Sequence, residues 1–306
     1  MTSTMTDVAP AVERARDWLI SVHAEATQGS DSPVSLLLHT TLGLWLCETA
    51  FGIGDARPTI VEISARLGDM ERQGGLDLAK CDSHLLLYCT AILKEYGESI
   101  PTLDAYVDMS AKAMTEHPDG SALEASELFP ARFLLWRQGL GPEPVASLFQ
   151  PDGMPEEGLL FANSLISGTI AKAVGASTTF GKLSNTTRSD DLEAVTHALP
   201  IWMLAALRRN HIEAGARLLR AMAYLGLGKT AAYDQGIDFL LMQQHPAGYF
   251  GFWAKVVSEV RLRDPNFVER ESLHLPVTTA CLWTLAEAAD PGFLLYERVP
   301  VPRDTN

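Results

Sequence analysis

Histidine is the side chain that gives and takes a proton near neutral pH, and four of the eight in this chain occupy one kind of position. His39, His84, His211 and His274 each fall in the first turn or two of a strongly apolar segment. If those segments are helices that run the same way, four imidazoles line one mouth of a cavity. Helix N-termini add positive potential there, which favours an anionic group or a neutral imidazole. The plainer reading is that each histidine caps or packs on its own. His197 is an alternative to His211, because Thr196-His197-Ala198 also leads an apolar run, through Trp202 and Leu207. Pro200 falls inside that run and is expected to kink it.

Carboxylates and thiols offer other chemistry. Glu48 lies in the apolar run Leu46-Cys47-Glu48-Thr49-Ala50, where an ionised carboxylate is costly unless paired. It is a candidate buried acid, or else the ion-pair partner of Arg132 or Arg137 on a neighbouring helix. One helix carries it about 13.5 Å beyond His39, so the two do not meet along that helix. Glu124, Glu127 and Glu157 begin the third and fourth apolar segments and could face the imidazoles as acid–base partners. Cys81 and His84 stand three residues apart, within reach of one zinc ion. Cys47, Cys89 and Cys281 read as small buried hydrophobes. Trp45, Tyr88, Trp136 and Trp283 sit mid-segment and either shape an apolar pocket or fill the core.

The elements that must position these residues are nearly all helices. The apolar segments start near His39, Asp82, Glu124, Glu156, Asn210 and Leu273. His39 and His84 are 45 residues apart, as are the terminal glycines Gly52 and Gly97, and Gly139 follows 42 residues later. Between them run more amphipathic segments: Val8–Ala26, Thr59–Arg72, Thr102–Ala113, Val145–Phe149, Asp190–Leu207 and Ala231–Gln243. A helix apolar all round belongs inside and one with a polar face outside. Six of each, alternating, predict an all-α single domain over residues 1–306: an α/α toroid with six inner and six outer helices. An open solenoid leaves a similar pattern.

Composition narrows the partners. The chain has 306 residues, 47% hydrophobic, with 38 acidic against 24 basic side chains and a net charge of −14. Nucleic acids and anionic membranes need clustered Lys and Arg, so neither is expected. Four scattered cysteines and no signal-peptide pattern point to the cytoplasm, and no run of 18 apolar residues spans a bilayer.

One segment carries a resemblance. Gly236-Ile-Asp-Phe239-Leu240-Leu241-Met-Gln-Gln244-His-Pro-Ala-Gly248-Tyr-Phe250 is similar to the Gln–aromatic repeat of terpenoid cyclases and protein prenyltransferases, which are α/α toroids. That family usually has Asp-Gly before the aromatic, where this chain has Pro246-Ala247-Gly248. The match occurs once and spans about fifteen residues, so the resemblance implies the fold, with the motif itself structural. Tyr249, Phe250, Phe252 and Trp253 are then packing staples. The whole chain also resembles bacterial helical proteins that accompany natural-product pathways. Zinc occurs in toroids such as the prenyltransferases and lanthionine cyclases, but their further ligand motifs are not evident.

The family's chemistry has no counterpart in the sequence. Neither Asp-x-Asp-Asp nor Asp-Asp-x-x-Asp occurs, and Asp190-Asp191-Leu192-Glu193 reads as a helix start. There is no dinucleotide or serine-hydrolase motif, and Gly226-Leu-Gly228-Lys229-Thr230 only imitates the end of a phosphate loop. The expectation is a cofactor-independent secondary-metabolic enzyme that cyclises, eliminates or isomerises a small, largely apolar molecule. His39, His84 and His274 move protons, Glu48 is a possible acid, and Trp45 and Tyr88 shape the pocket. The rivals are a non-catalytic ligand- or peptide-binding scaffold and a glycan-processing (α/α)₆ barrel with two facing carboxylates.

Overall fold

A computed structural model of the chain describes residues 8–24, 33–116, 122–144, 164–182, 190–251, 258, 271–290 and 298. The described residues are all-helical apart from one isolated bridge between Gln244 and Phe250. In chain order the α-helices are α1 (Val8–Val22), α2 (Pro33–Phe51), α3 (Arg57–Arg72), α4 (Ser83–Glu95), α5 (Pro101–Glu116), α6 (Ala122–Arg137), α7 (Ser164–Thr178), α8 (Asp190–Arg208), α9 (Ile212–Tyr224), α10 (Ala231–Met242) and α11 (Leu275–Ala289). A 3₁₀ turn, Glu271–His274, leads into α11. The segment Val145–Phe149 lies outside the described residues.

Burial follows the two sequence patterns. α1 buries Val8, Ala11, Val12, Ala15, Trp18, Leu19 and Val22, one stripe at helical spacing, and leaves its other face polar. α2 buries an almost unbroken run from Leu36 to Cys47, so protein surrounds it on most sides. By length and composition α2 is apolar enough to cross a membrane, yet two-thirds of it is buried inside the protein. It packs against α1, α3, α4 and α11.

The repeated glycine is a stop signal with a clear mechanism. Gly52 and Gly97 both adopt positive φ, +64° and +83°, which glycine reaches without a Cβ penalty. The following amides then turn back onto the helix: Ile53 N–H donates to the Cys47 carbonyl at 3.0 Å and Glu98 N–H to Leu93 at 2.9 Å. The fourth unit ends differently. A stop at Gly175 is expected from sequence, but α7 runs on to Thr178, and the turn is made by Thr179 and Phe180 at positive φ. Gly175 is needed inside the helix, because a Cβ there would lie 2.9 Å from the Phe180 ring.

The helices expected inside pack in cyclic succession: α2 against α4, α4 against α6, α6 against α7, α7 against α9, α9 against α11, and α11 back against α2, although α9 carries a polar stripe and is not apolar all round. Side chains cross some of these seams. The Cys89 thiol lies 3.1 Å from the Leu38 carbonyl oxygen, the Thr279 hydroxyl 3.1 Å from that of His39, and the Thr284 hydroxyl 3.0 Å from that of Ala216. α3 lies against α2, α5 against α4 and α6, and α8 against α9 and α10. Pro200 lies within α8, and α8 does not join the cyclic succession.

The Gln244 segment fastens the end of α10 to α1. The Gln244 amide donates to the carbonyls of Ala11 (2.6 Å) and Gly248 (2.8 Å), and its oxygen accepts from Arg14 at 2.6 Å. Gly248 has φ +115°, and a Cβ there would stand 2.1 Å from the Arg14 carbonyl oxygen. Glycine is therefore required by both backbone angle and space. Tyr249 then stacks between His245 and His274, with ring centroids 4.4 and 4.5 Å away.

Candidate functional site

A cavity of about 220 Å³ lies among the N-terminal parts of α2 and α4, the length of α9 and residues of α7 and α11, with Phe180, and Pro130 of α6, also in its wall. His39 of α2 and His84 of α4 both border it. His211, His274 and His197 do not, so two of the four expected imidazoles share this space. His211 is the residue preceding α9 and makes no side-chain cap. His274 is turned the other way: its Nδ1 is 3.1 Å from the Phe250 carbonyl oxygen and its ring stacks on Tyr249. His197 lies on α8 with 80% of its side chain exposed, 3.8 Å from Glu193. The reason is helix phase, because α8 turns its apolar stripe, not His197, toward α9 and α10.

Asp82 organises the α4 end of the cavity. As the helix N-cap it accepts from the backbone amides of His84 (2.9 Å) and Leu85 (3.2 Å). The same oxygen faces His84 Nδ1 at 3.4 Å. Crowding by protein opposes ionisation of Asp82. Its interactions with His84, the Leu85 amide and the Lys172 ammonium outweigh that effect and hold the carboxyl well below its usual range. Asp82 thus orients the imidazole through Nδ1, and His84 Nε2 is buried with no hydrogen-bond partner among the described residues.

His39 meets the cavity as a neutral ring. Desolvation lowers its pKa to about 4, with Asp82 pulling it up and Arg217 pushing it down. Its Nδ1 is buried without a partner among the described residues. Around neutral pH this imidazole is uncharged, with one N–H to donate and one nitrogen to accept.

α9 supplies the polar wall that the histidine pattern did not reveal. Glu213, Arg217, Arg220 and Tyr224 all border the cavity, at spacings of four, three and four residues that put them on one helix face. Arg217 pairs with Glu213 one turn away. Arg220 stacks 3.4 Å over the Trp283 ring, and its Nε is 3.4 Å from Glu287. Glu287 also accepts from Tyr224 (2.8 Å) and Trp283 (2.7 Å). Burial raises its pKa, against the opposing pull of Arg220, Tyr224 and Trp283.

Glu48, the expected buried acid, is a structural link at the far end of α2. It accepts from the Ala56 amide at 2.9 Å and the Tyr96 hydroxyl at 2.8 Å, and pairs with neither Arg132 nor Arg137. The helix turn after Gly52 brings Ala56 back over that carboxylate, so local chain reversal supplies one partner, and the packing of the end of α4 supplies the other, Tyr96. The rule that flagged Glu48, a carboxylate inside an apolar run, applies equally to Glu287 in Leu285-Ala286-Glu287-Ala288, which is the carboxylate the fold buries.

The aromatic candidates divide. Tyr88 and Trp283 border the cavity and meet edge-to-face at 5.4 Å. Trp45 is buried in the core with its Nε1 donating to Glu95 at 2.8 Å. Trp136 packs its ring edge-to-face on Phe133 at 5.3 Å, away from the cavity wall. Phe180 and Tyr224 are additional wall aromatics, 5.8 Å apart. The side chains of Glu124 and Glu127, and all of Glu157, lie outside the described residues.

Cys81 is half-exposed, its thiol 3.9 Å from the Asp77 carbonyl oxygen. Among the described residues, no group of three or more His, Cys, Asp or Glu is arranged to hold a metal ion. Cys47, Cys89 and Cys281 are buried, and burial pushes the Cys47 thiol up to about 12. Such thiols are poor nucleophiles at neutral pH.

No protein-family model, curated protein or solved structure matches this chain. The function must be read from the cavity.

Proposed function

We propose that this protein is an α/α toroid whose cavity carries out metal-free acid–base chemistry on a small, largely apolar molecule: an isomerisation, elimination or cyclisation. The toroid reading is supported by the closed succession of α2, α4, α6, α7, α9 and α11, with more amphipathic helices packed outside it. The observation that carries the functional reading is the pair of imidazoles, His39 and His84, on one cavity whose walls also include Tyr88, Trp283 and Phe180.

The two rings have complementary roles. His84, held through Nδ1 by Asp82, takes a proton at Nε2, and the carboxylate stabilises the imidazolium that forms. His39 stays neutral and donates a hydrogen bond to the negative charge that develops on the substrate. The protein is then an enzyme of secondary metabolism, with the cytoplasm as its expected location. The cavity's carboxylates, Asp82 and Glu213, are each engaged with a neighbouring base, which favours imidazole chemistry over the paired-carboxylate hydrolysis of a glycan-processing barrel.

The test is an untargeted comparison of small-molecule extracts incubated with wild type, His39→Gln and His84→Gln, each variant first shown to melt close to wild type. Metabolite changes made by wild type and lost by at least about a hundredfold in both variants support the reading. Unchanged extracts with wild type, or equal turnover by all three proteins, sink it and leave a binding scaffold.

A further inference from the structure

The cavity's charge and the path of α7 identify the ligand class more narrowly. The chain is strongly acidic overall, yet the cavity wall carries three formal cations, Lys172, Arg217 and Arg220, against two carboxylates, Asp82 and Glu213. Both carboxylates are engaged, Asp82 by His84 and the α4 amides and Glu213 by Arg217. Arg220 has a separate duty in the Glu287–Trp283 cluster.

Arg217 differs in having space made for it. Gly168 sits inside α7, where glycine costs about 1 kcal/mol relative to alanine. A Cβ at that position would stand 3.0 Å from Arg217 Nη1. The missing side chain lets the guanidinium lie against α7 at the cavity wall, with Glu213 engaging only its Nη2. A guanidinium fork is suited to a planar two-oxygen anion.

Size adds a constraint. An apolar cavity of about 150 Å³ accepts benzene. A cavity of about 220 Å³ has room for a ring of that size plus a carboxylate. Tyr88, Trp283 and Phe180 supply aromatic wall for the ring, and Arg217 supplies the anion's partner.

We propose that the ligand is a compact monocarboxylate with an aromatic or similarly flat apolar body, its carboxylate held by Arg217 and its body against the aromatic wall of Tyr88, Trp283 and Phe180. This rests on the reading of the cavity as a small-molecule site and adds the anionic end. It predicts that binding, with or without turnover, depends on the ligand's charge.

Calorimetric titration with benzoate and phenylacetate, their neutral amides and toluene tests it at constant ionic strength and pH 7.5. The acids should bind wild type at least tenfold more tightly than the amides. Arg217→Gln should remove that preference while amide binding persists. Glu213→Gln should strengthen acid binding by releasing Nη2, and Gly168→Ala should weaken it only slightly, because the end of the Arg217 side chain yields by a few tenths of an ångström, so the inference remains testable if Arg217→Gln folds poorly. Equal binding of acids and amides, or a preference that survives Arg217→Gln, overturns the carboxylate assignment and leaves the acid–base cavity standing. Failure of every compound, toluene included, overturns the ligand assignment and denies an accessible apolar cavity. Loss of turnover in His39→Gln with acid binding retained keeps the two conclusions separable.

Discussion

His39 and His274 have similar titration behaviour and opposite settings. Desolvation holds each to about 4. His274 lies in the fastening between α1, α10 and α11, its Nδ1 committed to the Phe250 carbonyl and its ring against Tyr249. His39 borders a cavity, with a buried Nδ1 that has no partner among the described residues. A depressed pKa reports burial in both places and function in neither. Where the nitrogens point separates a structural histidine from a candidate catalytic one.

Substitutions can break that comparison. The largest effect is expected at the fastening itself. Gly248→Ala forces a Cβ into the Arg14 carbonyl and a side chain onto a left-handed backbone, so it should cost at least about 4 kcal/mol or prevent folding. Urea unfolding checks it, and a loss below about 1 kcal/mol would show that the end of α10 is not pinned to α1. Gln244→Ala removes three hydrogen bonds without a backbone clash and should cost about 2–3 kcal/mol by the same measurement.

Proton uptake gives the next test. Between about pH 6.5 and 4 the unfolded chain binds protons at positions 39 and 274 that the folded chain refuses. Stability should therefore fall as the pH drops through that window, by up to roughly 3 kcal/mol for each imidazole. His39→Gln and His274→Gln should each flatten the dependence of melting temperature on pH. A wild-type curve that is level over this range contradicts the burial of both rings.

The smallest stability effect, and the sharpest contrast, is at neutral pH. His274→Gln disturbs the stacked Tyr249 and the Phe250 carbonyl and should cost about 1–3 kcal/mol. His39→Gln should change stability by no more than about 0.5 kcal/mol. If both variants melt equally early, His39 is a core residue and the cavity loses its acid–base pair.

Much of the architecture was legible because helical periodicity is local. The apolar and amphipathic segments, the repeat of Gly52 and Gly97, and the Asp82 cap can be read from neighbours within a few residues. The structural character of the Gln244 segment was implied by its resemblance to the Gln–aromatic repeat, whereas its fastening to Ala11 and Arg14, distant in sequence, was not legible. The end of α7 was not, because the choice between Gly175 and Thr178 rests on where Phe180 packs.

Candidate chemistry was legible by residue type but not by place. His39, His84, Tyr88 and Trp283 were recognised and meet at one cavity. His197, Glu48, Trp45 and Trp136 carried the same kinds of signal and lie elsewhere. The stripe Glu213, Arg217, Arg220 and Tyr224 was present as helical spacing, and a polar face on a helix packed among apolar ones is the sign that exposes it. By itself the sequence determined which segments are helices and which of their faces seek the interior, since both follow from side-chain chemistry at a period of 3.6. Only the tertiary structure decided which buried polar groups face one another. Glu48 and Glu287 show the reason: two carboxylates in similar apolar runs received different partners, because a partner is set by how helices distant in sequence are turned and spaced.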